Sequence, residues 1–370
     1  DPTTGCRVAG TDELERIFEY DALYRLLSAS GRETATTATK PWKDKYRPEN
    51  NGASRAYTQL YEYDKLGNIQ ELQHLATGGN FTREFNYVDP FTHNKLQSID
   101  IGETNYSFSY DVNGNMVQED TNRHFAYDYA DRLKAFYIQT STEEPSQYTQ
   151  YFYDAGGQRV KKISRVQGGT STKTTIYIDG IFEHTIAEAS EAIPDLEIGP
   201  WCIGYGEGEQ NTLHIMDGSS RIATVRLGDA MDDTTPAIKY NLEDHLGSSN
   251  LTLSDNGSLI SKEEYYPFGE TSFGSYGKKR YRFCGKEKDE ESGLYYYGLR
   301  YYNPWTCRFI NIDPMSGKYP NKSPFNYCSN NPINVIDPDG GDDGGGKKGS
   351  GNNNISNRPT VRSGNNQGGK

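Results

Sequence analysis

The residues from which chemistry is usually built are five cysteines, six histidines and one glycine-rich pentapeptide. The cysteines (Cys6, Cys202, Cys284, Cys307, Cys328) are odd in number and contain no Cys-x-x-Cys, which argues against both a zinc site and a disulfide framework. Cys284, Cys307 and Cys328 are evenly spread, a pattern that suits equivalent places in a repeat better than ligand spacing. The histidines (His74, His93, His124, His184, His214, His245) are scattered, with no pair at metal-ligand spacing. No metal and no cofactor is expected. Gly204-Tyr205-Gly206-Glu207-Gly208 does not complete a dinucleotide fingerprint and reads as a loop, and no nucleophile elbow or phosphate-binding loop occurs. On residue chemistry alone, Asp313-Pro314 and Asp337-Pro338-Asp339-Gly340 are turn formers.

The elements around these residues follow from composition and periodicity. Of 370 residues only 34% are apolar, and 29 of those are tyrosines; the formal net charge is −12. That charge argues against a dedicated nucleic-acid binder, and no apolar run approaches the length of a membrane span. Tyr-Asp recurs at Tyr20-Asp21, Tyr63-Asp64, Tyr110-Asp111, Tyr127-Asp128 and Tyr153-Asp154, with looser copies at Tyr87-Val88-Asp89 and Tyr177-Ile178-Asp179. A unit of roughly 22 residues emerges. Alternating aromatic and polar residues precede each pair, as in Tyr106-Ser107-Phe108-Ser109-Tyr110, and a Gly/Asn turn follows, as in Asp64-Lys65-Leu66-Gly67-Asn68. Each unit is therefore a β-hairpin. A lone hairpin is marginal in water, so the units must pair edge to edge. The expected fold is all-β: repeated hairpins in a long, curved sheet. Glu13–Glu19 carries helical spacing, but the text after it matches the repeat, so strand–turn–strand is expected there, with residues 35–53 as an excursion loop.

Beyond residue 236 the text becomes denser. Asp244-His245-Leu246-Gly247-Ser248 and Tyr265-Tyr266-Pro267-Phe268-Gly269-Glu270 come first, then Phe283-Cys284-Gly285-Lys286-Glu287. Gly293-Leu294-Tyr295-Tyr296-Tyr297-Gly298-Leu299-Arg300-Tyr301-Tyr302-Asn303-Pro304 and Arg308-Phe309-Ile310 follow in order. Asn311-Ile312-Asp313-Pro314 and Asn331-Pro332-Ile333-Asn334-Val335-Ile336-Asp337-Pro338-Asp339-Gly340 close the series. With the repeats, this series resembles the Rhs/YD-repeat family over residues 12–340. The resemblance implies a spiral β-sheet shell (1–235), an Rhs repeat-associated core domain plugging one end (236–340), and a tail (341–370) that composition marks as disordered. It also implies that the shell encloses a C-terminal effector toxin, and that the core cuts the chain once, in cis, as an aspartyl protease.

Carried onto this chain, the resemblance assigns Asp313 and Asp337 as the carboxylate pair, Arg308 as the residue orienting them, and Gly340-Gly341 as the cleavage site. Two close carboxylates share a proton, so one serves as acid and the other as base. Two positions depart from the family pattern: Cys307 stands where glycine is usual, and Gly341 where a bulky apolar residue is usual. The implied partners are upstream repeats, an effector and its immunity protein, with a secreted or cell-surface location on a bacterium. A second reading is a surface adhesion sheet whose exposed tyrosines bind glycans, without proteolysis. Geometry limits either role. Fifteen hairpins at most give about 144 Å of sheet, roughly one turn of wall.

Overall fold

The computed structural model describes residues 14–35, 42, 54–89, 93–140, 144–166, 169–189, 207–231, 233–275 and 279–341. Cys6, Cys202, most of the glycine-rich pentapeptide, the 36–53 loop apart from Trp42, and the tail after Gly341 lie outside them.

Twenty strands form one sheet, each paired antiparallel with its neighbours in sequence. The first seven are β1 (Phe18–Tyr20), β2 (Leu26–Thr34), β3 (Ser54–Tyr63), β4 (Ile69–Ala76), β5 (Phe81–Asp89), β6 (His93–Ile101) and β7 (Thr104–Tyr110). Next come β8 (Met116–Glu119), β9 (Arg123–Tyr127), β10 (Leu133–Ile138), β11 (Gln147–Tyr153), β12 (Arg159–Val166), β13 (Ser171–Ile178) and β14 (Phe182–Ala189). The last six are β15 (Gly208–Asp217), β16 (Ser220–Gly228), β17 (Ile238–Glu243), β18 (Ser249–Ser254), β19 (Leu259–Tyr265) and β20 (Thr271–Ser275). Twenty strands make about 96 Å of sheet. The segment with helical spacing leads directly into β1, so the strand–turn–strand reading holds there.

Both halves of the Tyr-Asp pair have a definite task. The aspartate closes the turn: Asp64 Oδ1 accepts the backbone N–H of Leu66 and of Asn68, both at 2.8 Å, while Gly67 takes φ +82°. Asp21, Asp128 and Asp244 repeat the pattern. The tyrosine reaches back one hairpin. Tyr63 donates its hydroxyl to the Leu26 carbonyl at 2.7 Å, Tyr87 to Ile69 at 2.7 Å and Tyr153 to Leu133 at 2.7 Å. These tyrosines face inward, packed against the core, so they offer no outward contact face for sugars.

The sheet runs on through residue 236, where β16 pairs with β17, and leaves the wall only after β20. The chain then enters the space inside the curve. Residues 279–341 form a plug with a small sheet of β21 (Glu287–Lys288), β22 (Tyr295–Tyr296), β23 (Tyr301–Asn303) and β24 (Arg308–Phe309). Trp305, Tyr295, Tyr297, Tyr302, Tyr327 and Phe309 are among its fully buried side chains. Trp305 meets Tyr106 and Phe108 of the wall at ring-centroid distances of 5.5 and 5.7 Å. Wall and plug thus share one aromatic core, which replaces the missing aliphatics.

Buried ion pairs fasten the two layers. Arg159 of β12 holds Glu287 and, at 3.1 Å, Asp289; Lys162 holds Asp289 at 3.0 Å and Glu291 at 3.2 Å. Burial opposes ionisation of Glu291, but Lys162, Lys173 and the Ser164 hydroxyl hold its carboxyl down at about 2. On the other side, Glu119 accepts the Trp305 indole N–H at 2.7 Å and the Asn303 amide at 2.9 Å.

The sheet curves until its ends meet, with β20 alongside β2. Side chains make this junction. Arg16 and Arg32 both hold Glu264, and Tyr266 donates to Glu33. Glu33 also pairs with Arg55 at 2.6 Å and with His74 at 3.1 Å. Burial disfavours its charge, yet His74, Tyr266 and Arg55 together keep its pKa at about 2.

Candidate functional site: two aspartates on one arginine

Asp313 and Asp337 each sit in the Asp-Pro turn that their residue types suggest. Asp313 Oδ1 accepts the Met315 N–H at 2.7 Å, and the Asp313 carbonyl accepts the Ser316 N–H at 2.9 Å. Asp337 Oδ1 accepts the Gly340 N–H at 2.7 Å. Gly340 has φ +82°, and a Cβ there would stand 3.1 Å from both the Arg300 nitrogen and Tyr297 Cβ. Only glycine fits that backbone closely enough to lie on the 297–300 turn.

The turn capping is only half of what these aspartates do. Arg300 Nη2 lies 3.1 Å from Asp313 Oδ2 and 3.6 Å from Asp337 Oδ2, so one guanidinium joins two carboxylates 24 residues apart in sequence. The same side chain donates through Nε to the Gly340 carbonyl oxygen and through Nη1 to Pro324 at 3.2 Å. It lies 3.6 Å over the Phe309 ring and is essentially buried, as is Asp337, whereas Asp313 keeps some solvent access. The position of Arg300 is set by the tight turn between β22 and β23, where the Tyr297 N–H bonds to the Arg300 carbonyl at 3.0 Å.

Arg308, the arginine assigned by resemblance, points elsewhere. Its Nη2 donates to the Asn94 carbonyl at 2.6 Å, and its guanidinium packs on Phe325. It fastens the plug to β6, and the arginine that joins the aspartates is Arg300. Residue type alone does not separate the two: Arg300 and Arg308 are both buried in the dense C-terminal motifs, and only Arg300 meets carboxylates.

Two further groups complete the site. Lys286 Nζ donates to the Pro338 carbonyl at 2.5 Å. Burial lowers its pKa, while the nearby Asp337 pulls the other way. Asp339 Oδ1 accepts the Gly341 N–H at 3.0 Å, and the Leu299 N–H bonds to the Asp339 carbonyl at 2.9 Å. The segment 337–341 is thereby pinned along its length. A Cβ on Gly341 would come within 2.8 Å of Leu299 Cδ1 and 3.5 Å of Asp339 Oδ1, so the site is tight against any larger residue.

The three evenly spaced cysteines are equivalent in conformation. Cys284, Cys307 and Cys328 are buried and all adopt left-handed backbone, with φ of +49°, +58° and +49°. Burial pushes the Cys284 thiol up to about 11 and the Cys307 thiol higher still, which makes both poor nucleophiles. Among the described residues no acid, histidine and cysteine cluster could hold a metal ion.

Fold and site define a class: an antiparallel hairpin-repeat wall, filled by an aromatic plug that carries an acidic pair beside its own C-terminal end. No protein-family model matches the chain. Among curated proteins it is 30% identical over 337 residues to the toxin subunit YenC1 of Yersinia entomophaga, covering 88% of this chain and 33% of that protein. It is 24% identical over 383 residues to the toxin protein Tse5 of Pseudomonas aeruginosa, covering 90% of this chain and 27% of that protein. Among solved structures, TcdB2-TccC3 without its hypervariable C-terminal region matches with a TM-score of 0.75 at 25% identity, over 89% of this chain and 15% of that one. The chain spans about a third of the length of YenC1 and of its sister subunit YenC2. Over most of its length the fold is that of the matching part of TcdB2-TccC3. No described helix is long and apolar enough to cross a membrane.

Proposed function

We propose that this chain is the C-terminal part of an Rhs/YD-repeat toxin shell, and that its aspartate pair cuts the Gly340–Gly341 bond once, in cis. The observation that carries this reading is Arg300, which touches Asp313, Asp337 and the Gly340 carbonyl oxygen at once. Donation from Arg300 Nε polarises that carbonyl and stabilises the oxyanion that forms on it. Asp313, the more exposed carboxylate, takes a proton from water as it attacks the Gly340 carbonyl carbon. Asp337, in its protonated form, gives a proton to the leaving amine. The Gly340 C–Gly341 N bond breaks, the amine leaves with a proton, and Gly340 becomes a carboxyl terminus. Asp339 holds the departing N–H in place. A side chain at position 341 would press on Leu299, so the glycine is what lets the segment lie here.

On this reading the released piece is an effector following the tail, with an immunity protein as its antidote. Upstream repeats complete the container, and the assembly works at or beyond the bacterial surface. The test is a fusion carrying a folded cargo after Lys370, followed by intact-mass spectrometry for a day. The expected result is a break after Gly340 in the parent and none in Asp313→Asn, Asp337→Asn or a folded Arg300→Met. A folded parent that keeps its full mass sinks the protease assignment.

A further inference from the structure

The wall changes what it turns inward along its length. Over β3–β11 the inward side chains belong to the shared core, among them Tyr61, Leu72, Phe85, Tyr106, Phe125 and Tyr151. Over β14–β19 they are polar. Cross-strand rows run Glu183–Thr212–Arg226, then His214–Thr224–Lys239, then Asn241–Thr252–Ser261. All of these but Glu183, together with Lys279, Arg280 and Tyr281 of the plug, line a cavity of about 140 Å³. That is roughly ten times the space one water needs.

The charges around this cavity do not balance. Six Lys and Arg side chains line it against two carboxylates, Asp233 and Glu290. Three of the cations are matched. Lys279 has Glu263 at 3.0 Å, Arg280 has Glu183 and, at 3.0 Å, Glu287, and Lys173 has Glu290 at 3.9 Å. Arg226 and Lys239 share one partner: Asp233 Oδ2 stands 3.1 Å from Arg226 Nη1 and 2.6 Å from Lys239 Nζ. Arg221 has none. It is only 9% exposed, donates through Nε to His214 Nδ1 at 3.0 Å and through Nη1 to the Gly285 carbonyl at 3.3 Å, and lies 3.5 Å over the Tyr281 ring. Among the described residues no carboxylate pairs with its guanidinium, and no acceptor takes Nη2. A buried cation held only by neutral groups calls for an anion.

We propose that this cavity binds a small oxyanion of the phosphate class, with Arg221 as the charge that holds it. The cavity already takes one oxyanion of its own chain: the Asp233 carboxylate, on the loop between β16 and β17, sits on Arg226 and Lys239, and its Oδ1 accepts the Thr235 N–H at 3.0 Å. Guanidinium bonds to an oxyanion are the strong, charge-assisted kind, and the hydroxyls of Thr212 and Thr224 supply neutral donors for its other oxygens. Arg221 belongs to the wall and stacks on Tyr281 of the plug, so an anion here fastens one layer to the other. The site is independent of any cleavage at Gly340.

Isothermal titration calorimetry of the full chain with inorganic phosphate tests this, with glycerol phosphate and acetate as parallel probes. The expected result is one phosphate per chain, bound at least about tenfold more weakly in Arg221→Met. Asp233→Asn keeps an acceptor for Thr235 but frees Arg226 and Lys239, and is expected to bind phosphate at least about threefold more tightly. Thr224→Val, of the same shape, is expected to lose about threefold, and it carries the test if circular dichroism shows Arg221→Met unfolded. Glycerol phosphate binding as tightly marks a phosphate ester as the ligand, and its exclusion marks free phosphate; either bears the proposal out. No saturable binding to the parent overturns it, as does binding indifferent to all three changes, which means an adventitious ion only. Acetate binding as tightly as phosphate also overturns it, in favour of an acidic side chain.

Discussion

Asp64 and Tyr63 show how much a two-residue motif specifies. The carboxylate closes its own turn, and the hydroxyl reaches the carbonyl that opens the return strand of the hairpin before. That pairing of a turn-former with a reaching hydroxyl was legible in the sequence as chemistry, though the carbonyl it finds was not. The arginine that joins the two aspartates was legible only in part. Both Arg300 and Arg308 lie in the dense C-terminal motifs, and which one meets the aspartates depends on the turn at 297–300, a detail of backbone geometry. Cys307 offers a test at this scale. Its φ of +58° costs roughly 1 kcal/mol, which Cys307→Gly recovers while losing a small buried thiol. Urea unfolding is expected to place Cys307→Gly within about 1 kcal/mol of the parent, and the β-branched Cys307→Val at least about 2 kcal/mol below it.

Hairpins give the next scale its rules. Their rhythm and all-β class were readable because period-two aromatics and Gly/Asn turns are local signals. Which face of each strand turns inward was not, since alternation reports two faces without naming the inner one. Nor was the junction of the wall's ends, which depends on how far twenty strands curl. That junction has a pH signature. Glu33 is held at about 2 against an ordinary 4.5, so its contribution is complete above pH 4.5 and is lost as pH falls toward 2. The shift corresponds to on the order of 3 kcal/mol at full value. Hydrogen exchange is expected to show β2 and β20 losing protection between pH 5 and pH 3 before β5 and β6 do. Glu33→Gln should exchange quickly at both pH values; if it behaves like the parent, Glu33 does not hold the seam.

At the scale of the molecule, the low aliphatic count turns out to describe a wall whose hollow is occupied by its own aromatic plug. The one-turn estimate from chain length fits the twenty strands found, although 96 Å of sheet is shorter than the upper limit. What the plug contributes can be measured through Arg159, which joins β12 to Glu287 and Asp289 out of contact with water. Arg159→Met leaves two buried carboxylates short of a partner and is expected to cost about 3–5 kcal/mol in urea unfolding, with loss of near-ultraviolet tyrosine signal. Adding Glu287→Met should recover part of that loss. A single change with no measurable cost would show that the plug is held by its rings alone.

The pairing of every wall strand with its sequence neighbour has a kinetic consequence. Such a sheet has low contact order for a β-protein, so each hairpin can dock on the one already formed as the polypeptide emerges from the ribosome. The plug is different: Arg159 and Asp289 are 130 residues apart, and Trp305 waits for Glu119 at a separation of 186. The wall is therefore expected to exist as a curved intermediate with an open, tyrosine-lined trough until residues 279–341 arrive. Synthesis rate over that last stretch then sets how long the trough stays exposed to other chains.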